Sequence, residues 1–143
     1  MKKLIFVAVG VLALSLQALA KSPIEVTDAR IFAPMKGSNA TAGYAVIKNI
    51  SQKSVTLVLK KAEPFQAAEL HETIEKDGRM SMQRIEKLVI EAHHGFELKP
   101  GGNHIMLFDA NKAVNENDVI HVQFDIDGHP ETVDFKVILR NKN

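Results

Sequence analysis

An all-β fold, built as an antiparallel β-sandwich, is what this sequence of 143 residues predicts, and three observations lead to it. Apolar side chains recur at every second position in short runs, which is the period of a half-buried strand. The pairs Asp77-Gly78 and Asp127-Gly128 each stand between two such runs, and Asp-Gly is a preferred pair for a two-residue hairpin turn. No stretch has the period of an amphipathic helix, and no internal repeat or low-complexity segment interrupts the pattern. Eight or so short strands at regular spacing suit a sandwich.

The first twenty residues stand apart from that pattern. Lys2 and Lys3 open it, Leu4 to Leu16 is almost unbroken apolar sequence, and Ala18-Leu19-Ala20 supplies small residues for cleavage. This is the layout of a secretory signal peptide over residues 1–20, cut after Ala20. The apolar run falls short of the roughly 20 residues that a bilayer span needs, and no stop-transfer pattern follows. Residues 21–143 are then expected to form one domain. The leader takes two of the 18 basic residues and none of the 17 acidic ones, so the mature charge is 16 − 17 = −1. A near-neutral chain without a basic run is a poor partner for nucleic acid or an anionic membrane surface. The sequence contains no cysteine, which excludes a disulfide framework and all thiolate chemistry. Any soft-metal site must use Met and His.

Pro23–Phe32, rich in β-branched residues, is expected as the first strand, and Ala33–Asn39 as a loop. Ala40–Ile50 follows as a strand with two partly apolar faces, Tyr44 and Val46 on one and Ala45 and Ile47 on the other. A turn over Asn49–Ser54 leads into Val55–Ala62, where Val55, Leu57 and Leu59 share a face. Ala67–Ile74 is the next strand, with His71 on the face of Glu69 and Thr73. The Asp77-Gly78 turn should return Arg79–Ile85 antiparallel to it, bringing Met80 and Met82 near His71. Leu88–Ala92 and Phe96–Leu98 are apolar segments separated by His93-His94-Gly95. Val119–Ile126 alternates cleanly, with Ile120, Val122, Phe124 and Ile126 on one face, and Thr132–Leu139 is its hairpin partner.

Chemistry concentrates in Pro100–Phe108, which reads Pro-Gly-Gly-Asn-His-Ile-Met-Leu-Phe. The turn residues launch a strand whose branched pair, Ile105 and Leu107, forms the natural core face. His104 and Met106 then point away from the main core, about 7 Å apart along the strand. An imidazole beside a thioether is a sensible start for a soft-metal site. The chain beyond the leader holds Met35, Met80, Met82 and Met106 and six histidines, and four of these residues fall into the order His71-x10-Met82-x21-His104-x-Met106.

This spacing resembles that of the periplasmic copper carriers called the PCuAC family. Glu69-Leu70-His71-Glu72, Met80-Ser81-Met82 and Leu98–Leu107 look like that family's shared segments, and the likeness runs over nearly the whole chain beyond the leader. The resemblance implies a cupredoxin-like β-sandwich in the periplasm that binds Cu(I) through His71, Met82, His104 and Met106. It also implies delivery of copper to the CuA subunit of cytochrome c oxidase, directly or with Sco-type assembly proteins, and no enzymatic activity. Some family members carry a methionine directly after the first histidine, where this chain has Glu72. Met80 is a candidate third sulfur, and His93-His94 a candidate auxiliary site for Cu(II) or Zn(II). Copper storage or tolerance is an alternative role. An electron-transfer cupredoxin ranks lower, because a blue-copper centre uses a cysteine thiolate.

Overall fold

The computed structural model describes residues 21–140, so the expected signal peptide lies outside the described residues. Ten strands make up the regular structure: β1 (Ile24–Phe32), β2 (Ala40–Asn49), β3 (Val55–Glu63), β4 (Phe65–Lys76), β5 (Arg79–Ile85), β6 (Leu88–Ile90), β7 (Gly95–Leu98), β8 (His104–Ala110), β9 (Val119–Ile126) and β10 (His129–Ile138). Among the described residues no helix is long and apolar enough to cross a membrane.

The strands hydrogen-bond in the order β5-β4-β8-β2-β1-β10-β9-β3-β6, with β7 on the far half of β2. β2 changes partner along its length: Ala40 to Gly43 pair with β8, and Ala45 to Lys48 with β7. The sheet folds back on itself there, and one apolar cluster draws on nine of the strands, from Ile31 and Ile47 to Phe124 and Phe135. The expected all-β architecture holds, with one correction to a purely antiparallel arrangement. β1 and β10 run parallel, Arg30 to Phe32 beside Lys136 to Ile138. Parallel neighbours need a long crossover, and here the whole domain between the first and last strands supplies it.

Both Asp-Gly turns have the backbone that a tight hairpin requires, with positive φ at Asp77 (53°) and Gly78 (71°), and at Asp127 (51°) and Gly128 (85°). The expected core face of β9 is buried throughout, no residue of it more than 3% exposed. Two irregularities shift the alternation elsewhere. The pairing of β1 slips between Thr27 and Arg30, where Asp28 takes a positive φ of 53°, so the buried set passes from Ile24 to Ile31. A second slip between Leu59 and Lys61 lets Ala62 enter the core although Val55 and Leu57 lie on odd positions. The interruption at His93-His94 is real, while Gly95 opens the next strand: β6 pairs with β3 and β7 with β2.

Candidate metal centre

β4, β8 and β5 hold the chemistry because they are neighbours at one end of the sheet. His71 on β4 is the direct cross-strand partner of His104 on β8, and their ring centroids are 5.6 Å apart. On the other side of β8, Met106 pairs with Ala42. On the other side of β4, Met82 of β5 pairs with Thr73, and Met80 with Glu75. Period-two alternation puts His71, Thr73, Met80, Met82, His104 and Met106 on one face of the three strands.

A pocket of about 400 Å³ opens on that face, lined by Met80, Met82, His104 and Met106 and closed by Thr73 and Tyr44. No charged side chain lines it. His71 is not part of this lining; its ring lies beside His104, between the pocket wall and Glu69. Of the four residues singled out by spacing, the structure therefore brings three to one pocket and packs the fourth against it. Met80 joins them.

The two imidazoles are covered more than a strand pattern predicts. His104 is only 9% exposed, a correction to its expected outward position. β4 covers it from one side, and the turn between β7 and β8 folds over it, closed by Gly102 N–H donating to Lys99 O at 2.9 Å. The methionines of β5 contrast with it, Met80 at 65% and Met82 at 62% exposure. The site thus has a sheltered imidazole side and an open thioether side.

Hydrogen bonding fixes which ring nitrogens remain available. His104 Nδ1 lies 2.8 Å from Gly102 O, and a carbonyl oxygen only accepts, so Nδ1 carries the proton and Nε2 keeps a lone pair. His71 Nε2 lies 2.8 Å from Glu69 Oε2, a carboxylate that likewise accepts. That leaves His71 Nδ1 buried with no partner. An orphaned buried lone pair costs free energy unless something coordinates it. Two imidazole lone pairs and two or three thioethers fit a soft monovalent ion such as Cu(I), and the missing carboxylates disfavour hard cations. Burial pushes the Tyr44 phenol above its ordinary value, against the pull of the Arg140 and Arg30 cations, so it offers no phenolate at neutral pH.

The other histidines lie elsewhere. His93 Nε2 is 3.2 Å from Gln52 Oε1, and His94 Nδ1 donates to Ala92 O at 3.0 Å. No group of three or more His, Asp or Glu side chains that could hold a metal forms among the described residues. Among the described residues His93 and His94 are thus not joined by a third His, Asp or Glu. His121 pairs with Asp134 on the surface at 2.6 Å, and His129 is exposed. Sequence patterning missed Glu69 and Gly102 as residues that hold the imidazoles, and Thr73 as the donor that holds the Gly102 carbonyl. A Glu two residues before a candidate His on the same strand face was the available signal.

A family model described as LpqE-like matches residues 24–137. An uncharacterized protein of Rickettsia prowazekii (strain Madrid E) is 29% identical over 99 residues, 68% of this chain and 54% of its own length. A protein of Leifsonia xyli subsp. xyli named as a lipoprotein is 29% identical over 115 residues, 77% of this chain and 69% of its own. The chain thus spans about half the length of the Rickettsia relative. Among solved structures, the apo PCuAC domain from PmoF1 superposes with a TM-score of 0.69 at 20% identity, covering 83% of this chain and 96% of that domain. The copper-bound PCuAC domain from PmoF2 gives 0.68 at 17% identity, with 83% and 95% covered. Apo-DR1885 from Deinococcus radiodurans gives 0.65 at 22% identity, with 98% and 95% covered. At these identities the likeness is one of fold, and the fold is the PCuAC type.

Proposed function

The chain belongs to the LpqE-like family, and from that premise we propose that it is an extracytoplasmic copper carrier. It binds one Cu(I) through His71, Met82, His104 and Met106 and passes it on by ligand exchange, without turning over a substrate. The observation that carries this reading is the donor set: Met80, Met82, His104 and Met106 line one pocket that no charged side chain lines, and His71, packed against His104, keeps a buried nitrogen without a hydrogen-bond partner. Thioethers favour Cu(I), and four neutral ligands need release no thiol proton. The copper-bound state of one fold neighbour supports the same reading.

The asymmetry of the pocket suits delivery. The imidazoles sit on the covered side, whereas Met82 is 62% exposed on an outer strand. An acceptor would displace Met82 first and the imidazoles last. The proposed recipient is the CuA subunit of cytochrome c oxidase, reached directly or through a Sco-type protein in the periplasm. Anaerobic titration against a Cu(I) chelator tests the binding step. We expect one equivalent per chain, with affinity lost in a His104→Ala/Met106→Ala protein. Undiminished affinity in that double variant would overturn the assignment.

A further inference from the structure

Spacing names the ligand residues but not the atoms, and the two histidines cannot use the same one. The His104 ring is held by its Nδ1 proton on the Gly102 carbonyl, 2.8 Å away, so only Nε2 is free. The His71 ring is held the other way round. Its Nε2 proton lies on Glu69 Oε2 at 2.8 Å, and its buried Nδ1 has no partner. Glu69 is itself held, since Arg84 Nη1 lies 3.4 Å from Oε1 while Arg84 Nε reaches Glu86 Oε1 at 3.1 Å.

Building on the carrier reading, we propose that the copper is bound by Nδ1 of His71 and Nε2 of His104, and that Glu69 is the positioning residue that fixes the first choice. A carboxylate on the far nitrogen of a ligand histidine sets its tautomer and ring orientation and strengthens it as a donor. A backbone carbonyl does the same for His104 with a weaker, neutral acceptor. Nδ1 lies next to the main chain and Nε2 at the far tip of the ring. Ligation through opposite nitrogens therefore keeps the ion close to β4 while the longer reach of His104 comes from β8.

The test is long-range proton–nitrogen correlation spectroscopy on nitrogen-15 histidine-labelled protein, apo and loaded with Cu(I), a diamagnetic ion. In the apo protein His71 should be the Nε2–H tautomer and His104 the Nδ1–H tautomer. On loading, the resonances of His71 Nδ1 and His104 Nε2 should move most. Principal movement at His71 Nε2 or His104 Nδ1 would overturn the assignment of atoms while leaving the carrier reading intact. No movement at any ring nitrogen would overturn both. Glu69→Gln tests the positioning role with almost no change of volume. Arg84 claims the amide oxygen, the NH2 turns toward His71 Nε2, and the ring proton must move to Nδ1. We expect that tautomer swap together with a loss of Cu(I) affinity of about ten- to a hundred-fold. An unchanged tautomer and affinity would remove Glu69 from the site. Glu69→Leu is the second variant, expected to leave His71 as a mixture of tautomers and His104 as in the parent protein.

Discussion

At the scale of single residues, one backbone carbonyl organises much of the site. Gly102 O accepts from His104 Nδ1 at 2.8 Å and from Thr73 Oγ1 at 2.7 Å. Thr73 is the cross-strand partner of Met82, so this oxygen ties the His104 turn to the strand pair that carries a proposed sulfur ligand. Thr73→Val removes one bond without changing side-chain shape, and should lower stability by about 1 kcal/mol in denaturant unfolding. Thr73→Ser should restore most of it. Met82→Leu and Met80→Leu separate the two exposed sulfurs, because leucine conserves volume and removes only the thioether. The reading predicts a large loss of Cu(I) affinity in the first and a small one in the second; equal losses would make Met80 a full ligand. His104 and Met106 were legible as a pair because strand alternation sets them on one face. The shelter over His104 was not legible, since it comes from a turn and a strand that meet only in three dimensions.

At the scale of elements, the β4–β5 hairpin is the part that the proposed delivery would draw on, because its outer strand carries Met82. β5 is an edge strand with six of its seven residues exposed, paired on one side only. Few buried contacts mean low local stability. Its amides should exchange with solvent earlier than those of β8 or β9 in native-state hydrogen exchange, and Cu(I) should protect them through Met82. Equal protection of β5 and β9 in the apo protein would contradict this. The hairpin and its register were readable from Asp77-Gly78, which accepts the positive φ that the turn imposes. The slips at Asp28 and near Lys60 were not, because nothing in local alternation marks where a strand gains a residue. A different element is held by a single polar side chain. Asn49 is fully buried, its amide donating to Lys53 O, Ile90 O and Glu91 O and its oxygen accepting from Ser51. It ties β2 and the following turn to the segment after β6. Asn49→Ala strands several of these groups and should cost about 2–3 kcal/mol in an unfolding titration. Local sequence shows Asn49 only as the junction of a strand and a turn, because two of its partners, Ile90 O and Glu91 O, lie some forty positions away.

At the scale of the whole molecule, the four proposed ligands come from a hairpin, β4–β5, and from β8, which follows it only after β6 and β7, and it is the pairing of β4 with β8 that makes them neighbours. Metal binding and folding should therefore be linked. A ligand that binds only the native state at a thousandfold excess over its Kd adds about 4 kcal/mol. Cu(I) should raise the unfolding temperature of the parent protein and leave that of His104→Ala/Met106→Ala unchanged, as scanning calorimetry under anaerobic conditions would show. The sandwich class was legible from composition, turns and alternation. The parallel β1–β10 pairing was not, because it joins strands at the two ends of the described chain, about a hundred positions apart.

The central claim is that His71, Met82, His104 and Met106 converge on one soft ion. X-ray absorption spectroscopy of the Cu(I)-loaded protein tests it most directly, because sulfur and nitrogen neighbours scatter at distinguishable distances and strengths. The account predicts two imidazole nitrogens and at least two thioether sulfurs around a single copper, with one sulfur lost in Met82→Leu. A shell of nitrogen and oxygen alone, or one unchanged by that substitution, would contradict it.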